Sequence, residues 1–189
     1  MIRIGILGDI GSGKSFVAKA FGYPVFNADY EVSKLYRKDK EIFNKLNKKL
    51  PKYIFKFPID KNEIKAAILS NKNNLKKIIN IVHKEIRKKI KLFLKKNKDK
   101  KIVILDIPLL LENKINNKKD ILIFIDSKKK DIEKRLIKRK NFDRKLFNKF
   151  KKIQYSSRYK KKRSHFVIKN NFTNKSVRMG INYILNKIM

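Results

Sequence analysis

The stretch Gly8-Asp9-Ile10-Gly11-Ser12-Gly13-Lys14-Ser15 constrains this chain more than any other. It fits the pattern G-x-x-x-x-G-K-[ST], a loop that cradles phosphates between a strand and a helix. The flanks suit that context. Ile2, Ile4, Ile6 and Leu7 form a β-branched and apolar run before it, and Phe16, Val17, Ala20 and Phe21 follow with helical spacing. Glycines at 8, 11 and 13 let the backbone turn where a side chain would clash. Backbone N–H groups from Ile10 to Phe16 then converge at a helix N-terminus, where an anion is favoured. This assigns nucleotide phosphate binding to Gly8, Ile10, Gly11, Ser12, Gly13, Lys14, Ser15 and Phe16. Lys14 reaches the β- and γ-phosphates, and the Ser15 hydroxyl suits Mg²⁺. Asp9 is a carboxylate in a loop built for phosphate, and it is expected to point outward.

The rest of the chain alternates strands and helices. Residues 23–27 read as a short second strand ending at Asp29, with a helix from Tyr30 to about Arg37. Asp29 is either a ligand group at the C-terminal end of a strand or an N-cap for that helix. Residues 39–97 read as helical, with candidate caps at Asp39 and Asp60 and a long helix carrying Leu75, Ile78, Val82, Ile86 and Ile90 on one face. His83 lies beside that face, as a structural or a functional histidine. Ile102–Leu105 is a buried strand ending in Asp106, positioned to hold Mg²⁺ directly or through water; Ile107 to Glu112 extends it. Ile121–Ile125 is a further strand. Residues 128–155 form two charged helices broken at Lys140-Asn141-Phe142-Asp143. Arg135 and Arg139 share a helix face and Arg144 follows the break; the pair is either a solvated surface or a mobile lid. The basic run Lys160–Arg163 is expected to be solvated. A last strand near His165–Ile168 and a helix capped by Thr173 close the chain. The whole implies an α/β fold: a parallel sheet of about five strands covered on both faces by helices, with a helical insertion and a helical lid. A phosphate loop, insertion and arginine-bearing hairpin together suggest a small-molecule kinase.

Composition narrows the function classes. The formal charge is +36 over 189 residues, which invites a nucleic-acid reading. Lysine, asparagine and isoleucine supply 90 of those residues and alanine only 5. Only 9 of the 52 basic residues are arginine, and the lysines are spread along the chain. A dedicated nucleic-acid face concentrates charge with arginine and stacking aromatics, so no specific nucleic-acid partner is expected. There are no cysteines, and no apolar run approaches the length of a membrane span. No signal-peptide pattern precedes the loop, so the expectation is a cytoplasmic enzyme without a membrane partner, and a monomer.

The loop, Asn27-Ala28-Asp29, Asp60-Lys61, His83, Asp106-Ile107-Pro108-Leu109-Leu110-Leu111-Glu112, Arg135–Arg139, Gln154 and Val167–Asn170 occur in an order that resembles the dephospho-coenzyme A kinases. The Asp-x-Pro-Leu-Leu-x-Glu stretch is the specific part. The resemblance implies a single kinase domain over 1–189, with a core at about 1–29, 100–126 and 164–189. It implies a substrate-binding insertion at about 30–99 and a lid at about 127–163. The implied reaction moves the ATP γ-phosphate to the ribose 3′-hydroxyl of dephospho-coenzyme A, with Mg²⁺, as the last step of coenzyme A synthesis. Lys14, Asp29 and Arg139 would be catalytic, with Asp29 near the accepting hydroxyl. Asp29, Lys61, His83, Pro108, Leu109 and Glu112 would contact substrate; Arg135, Arg139 and Arg144 would belong to the lid; Ser15 and Asp106 would serve the metal. The family usually has Gly at Asp9, Arg at Lys61, Pro at Lys84 and Ala-Asp at Ser164-His165. The rival readings are another nucleoside or nucleotide kinase of this fold and a basic nucleic-acid-binding NTPase.

Overall fold

The computed structural model describes residues 1–140 and 142–189. They form two compact units, one of Met1–Asn27 with Asn97–Met189 and one of Ala28–Lys96. The first unit holds a five-stranded parallel sheet of β1 (Ile2–Gly8), β2 (Val25–Asn27), β3 (Ile102–Asp106), β4 (Ile121–Asp126) and β5 (Phe166–Lys169). The strand order is β2-β3-β1-β4-β5. Chain reversals between parallel strands need crossovers, so every strand runs the same way and all C-terminal ends share one edge. The register sets Asn27 opposite Asp106 and Gly8 opposite Ile125.

All five residues of β3 are buried, as a central strand covered on both faces must be. One face packs Ile4, Ile6, Ile104, Ile123 and Ile125 against Val17, Ala18 and Phe21 of α1 (Lys14–Ala20) and Val177, Ile181 and Ile184 of α9 (Asn174–Ile188). The α9 residues recur at three- and four-residue steps, so one stripe meets the sheet. Each such side chain, fully buried, contributes about 1.5–3 kcal/mol. Thr173 caps α9 by accepting from the Ser176 N–H. The same unit carries α6 (Lys129–Ile137), α7 (Arg144–Ile153) and α8 (Ser157–Lys162). The expected break between the charged helices lies between α6 and α7; Asn141 within it lies outside the described residues.

The second unit is α2 (Ala28–Lys38), α3 (Lys40–Lys49), α4 (Lys61–Ser70) and α5 (Lys72–Lys96). Leu75, Ile78, Val82, Ile86 and Ile90 form the buried stripe of α5, which packs with α2, α3 and α4. Asp39 and Asp60 cap α3 and α4 through their carboxylates. The connection after α3 is tied by Asn47 Nδ2 donating to the Ile54 carbonyl at 2.7 Å.

Candidate active site

The phosphate loop joins β1 to α1 at the sheet's C-terminal edge. Gly13 sits at φ 90°, and a Cβ there would lie 2.5 Å from Nδ2 of Asn170. Gly11, at φ 88°, would drive a Cβ to 3.1 Å from Leu136 of α6. These two glycines are therefore required by the positive φ and by close neighbours together. The loop is held from beneath. Its Ser12 carbonyl accepts from Ser127 Oγ at 3.0 Å and from Asn170 Nδ2 at 2.9 Å. Ser12 N–H donates to the Asp9 carbonyl at 3.1 Å. Lys14 Nζ lies over the loop and donates to the carbonyls of Asp9 at 2.8 Å and Gly8 at 3.2 Å. Ser15 and Phe16, at the start of α1, are exposed, and Ile10 is half-buried.

Beside the loop, β3 delivers Asp106 at its last position. The side chain is buried, and Oδ2 accepts from Asn27 Nδ2 at 2.6 Å. The following residues do not extend the strand as expected. Leu109 adopts φ 58°, and Asn113 N–H and Ile115 N–H fold back onto the Leu109 and Leu110 carbonyls. Leu110 turns toward Gly5 of β1, whose missing Cβ leaves room for it. An apolar run of five residues, Ile107 to Leu111, thus reads as strand in sequence while the proline and the packing of Leu110 make it a turn. The turn brings Glu112 to Tyr155, whose N–H it accepts at 2.8 Å. Leu109, Glu112, Lys14, Gly8, Gln154 and Lys160 line one small cavity of ≈ 10 Å³. Pro108, half-buried, precedes it in the same turn.

The helices after β4 supply the arginines. The Arg135 guanidinium stacks 4.2 Å from the ring of Phe172, the residue after the Asn170-Asn171 pair. Arg144 opens α7 and faces Phe142 at 5.8 Å. It helps line a cavity of ≈ 380 Å³ with Ile132, Leu136, Phe147, Lys151 and the loop residues Asp9 and Ile10. Arg139 is exposed just beyond α6. Helix α7 carries Leu146, Phe147, Phe150 and Ile153, yet buries none of its residues. Of these four, Phe147 lines that cavity.

Two expectations fail here. Asp9 turns inward: Oδ2 accepts from Ser157 Oγ at 2.6 Å and Oδ1 from Lys160 Nζ at 2.9 Å. Burial alone would raise its carboxyl, but the bonds from Ser157 and Lys160, with the Lys160 and Lys14 charges, hold it below the usual carboxylate range. Lys160, first of the basic run, is only 3% exposed, and its Nζ also donates to the Gly8 carbonyl at 3.3 Å. The other three residues of the run, Lys161, Lys162 and Arg163, are exposed as expected; the carboxylate that makes the burial of Lys160 tolerable is 151 positions away in sequence. Ser127 and Asn170 support the loop through the Ser12 carbonyl; the residue patterns missed Ser127 and gave Asn170 only as the end of the Val167–Asn170 stretch. The only available signal was their location just after β5 and β4, at the edge where parallel sheets bind ligands.

In the helical unit, Asp29 lies in the first turn of α2, one residue past the helix start, and is exposed. Lys61 is exposed in the first turn of α4, after the capping Asp60. His83 is half-buried on α5; burial first, then the charge of Arg87, lowers its pKa below the usual imidazole value. Among the described residues no group of three or more His, Cys, Asp or Glu gathers as a metal site.

This geometry agrees with what the chain is similar to. The family model for dephospho-CoA kinase matches residues 2–176. The chain belongs to that family. A dephospho-CoA kinase of Wolbachia sp. subsp. Brugia malayi is 35% identical over 170 residues, covering 87% of each chain. One from Fusobacterium nucleatum is 33% identical over 175 residues, covering 89% of each. Among solved structures, a Thermus thermophilus protein superposes with a TM-score of 0.78 at 25% identity, covering 100% of this chain and 98% of its own. The dephospho-CoA kinase of Campylobacter jejuni gives 0.61 at 23%, over 98% and 96%, a likeness of fold. As a dephospho-CoA kinase family member, the chain accounts for its loop and for the Asp106–Glu112 run in one assignment.

Proposed function

We propose that the chain transfers the γ-phosphate of ATP to the ribose 3′-hydroxyl of dephospho-coenzyme A, giving coenzyme A and ADP. The observation that carries this is the union, on one sheet edge, of a glycine loop holding Lys14 with the turn that presents Leu109 and Glu112. The loop N–H groups bind the phosphates. Lys14, held beside the loop by the carbonyls of Gly8 and Asp9, supplies a positive charge to the β- and γ-phosphates. Asp29 orients the acceptor hydroxyl and takes its proton as the new P–O bond forms and the bond to ADP breaks. Arg139, with Arg135 and Arg144, neutralises developing charge as α6 and α7 exclude water. The insertion at residues 30–99 binds the coenzyme A portion, with Lys61 and His83 as its contacts; Pro108, Leu109 and Glu112 are the substrate contacts carried by the sheet unit. The hydroxyl of Ser15 and the carboxylate of Asp106 are hard oxygen donors, and they fit Mg²⁺ held mainly by phosphates and water. Bound there, the ion would offset charge on the β- and γ-phosphate oxygens. The partners are thus ATP and dephospho-coenzyme A, acting on a cytoplasmic monomer. No helix among the described residues is long and apolar enough to cross a membrane.

A coupled assay of ADP release with ATP and dephospho-coenzyme A tests this. Turnover is expected with this acceptor, at least tenfold above nucleosides and other nucleotides. In the same assay Lys14→Ala is expected to abolish turnover, because it removes the mobile cation while the backbone cradle survives. Equal turnover of an ordinary nucleoside would favour the rival kinase reading. Near-wild-type activity in Lys14→Ala would overturn the phosphate-loop assignment.

A further inference from the structure

The carboxylate inside the phosphate loop is the feature the proposed reaction does not use. A negative side chain one residue past Gly8 repels a triphosphate bound to that loop. Both its oxygens are already engaged, one by Lys160 at 2.9 Å and one by Ser157 at 2.6 Å. Asp9 is therefore not available as a base. Lys160 is equally committed. It is 3% exposed, and its ammonium also contacts the Gly8 carbonyl, the same oxygen that Lys14 touches. A lysine so buried is expensive unless a charge answers it. Each residue thus makes the other tolerable, and the pair ties α8 to the end of β1.

We propose that Asp9 and Lys160 form a charge-cancelling pair that sets the nucleotide affinity of the phosphate loop and anchors α8 to it. Both are positioning residues; neither touches the reacting atoms. Ser157 supports the pair by filling the second carboxylate oxygen. Without Lys160, Asp9 keeps only the Ser157 hydrogen bond and the charge of Lys14, and its negative charge then acts against the phosphates. Without the Asp9 charge, Lys160 remains as an extra cation under the loop.

The proposal rests on the phosphate-loop reading, and titration calorimetry with ATP alone separates the two. Wild-type protein is measured beside K160M, D9N and D9N/K160M, with melting temperatures recorded for each. K160M is expected to bind ATP at least about tenfold more weakly, from the repulsion of one unscreened charge nearby. D9N is expected to bind ATP about threefold or more tightly than wild type, by the same reasoning with the sign reversed. The double variant is expected to return to within about threefold of wild type, because the two charge changes offset. Loss of packing alone would lower the melting temperature of both K160M and the double variant without that rescue of affinity. Wild-type affinity in K160M would overturn the pair. So would a double variant as weak as K160M, which would mean that Lys160 contacts the phosphates itself. If K160M does not fold, D9N decides alone: unchanged or weaker ATP binding overturns the proposal. A wild-type protein that binds no ATP would instead remove the phosphate-loop reading beneath it.

Discussion

Asp29 illustrates how one position can carry two incompatible roles until the helix boundary is known. As an N-cap it would tolerate asparagine, which caps as well as aspartate. Helix α2 begins at Ala28, so Asp29 falls inside the first turn. Two residues earlier, Asn27 is fixed to Asp106, so the chain enters α2 from an anchored strand end. Asp29→Asn keeps the shape but removes the charge and the proton acceptor. The expected result is a kcat loss of roughly 10²–10⁴-fold, the range of a general base, with ATP affinity nearly unchanged. A variant with wild-type kcat would leave Asp29 a structural role only. Residues that follow a local pattern were legible in sequence, as Gly13, Lys14 and Asp106 show. Asp9, Lys160 and Asn170 were not, because their partners are more than 100 positions away and only the folded sheet edge brings them together. The Ser164-His165 departure has a simple account of the same kind. His165 Nδ1 accepts from the Leu122 N–H at 2.9 Å, a task the aspartate usual in the family is chemically able to perform.

Helices and strands were legible wherever periodicity and caps agreed. The stripe of α5 and the caps at Asp39 and Thr173 came directly from spacing and side-chain chemistry. The 107–112 turn did not, since a continuous apolar run has no periodicity to distinguish a strand from a buried turn. On α5, His83 makes a pH prediction. Its folded pKa is depressed, chiefly by burial. The unfolded chain then binds more protons between the folded value and the ordinary value of about 6.5. The stability from keeping His83 neutral is complete above about pH 6.5 and is lost as pH falls through the folded value. Chemical denaturation of the full chain at several pH values should therefore show a smaller acid loss in His83→Gln than in wild type; equal slopes would contradict it. The proposed lid of α6 and α7 makes a kinetic prediction. Arg139 is exposed beyond α6, as a group that acts only on closure would be. Arg139→Ala is expected to lower kcat by at least about tenfold while changing either KM by less, the mark of an interaction made in the transition state. A change confined to the KM for dephospho-coenzyme A would make it a ground-state contact instead.

At the scale of the molecule, charge is the dominant variable. A net +36 on 189 residues raises the energy of the compact state through self-repulsion. The ion pairs present cannot offset it, because 16 acidic residues face 52 basic ones. Some acids are moreover spent in fixed tasks, as Asp9 is on Lys160 and Asp126 on Lys161 at 2.9 Å. Added salt shortens the Debye length from about 30 Å at 0.01 M to about 8 Å at 0.15 M. Two opposite responses to the same salt step follow. The melting temperature should rise, because repulsion between like charges is screened. Binding of ATP, of other polyanions and of nucleic acid should weaken, because attraction is screened too. Nucleic-acid binding should fall most steeply and show no sequence preference, since spread lysines release counterions without reading bases. ATP binding should fall less, because the loop holds phosphate through backbone N–H groups at short range. Thermal melts and parallel titrations of ATP, random-sequence RNA and RNAs of defined sequence at the two salt concentrations test both limbs. A sequence-specific RNA complex that survives the higher salt would assign the basic surface a function of its own; a melting temperature that falls with salt would mean the lysines are paired more fully than 16 carboxylates allow.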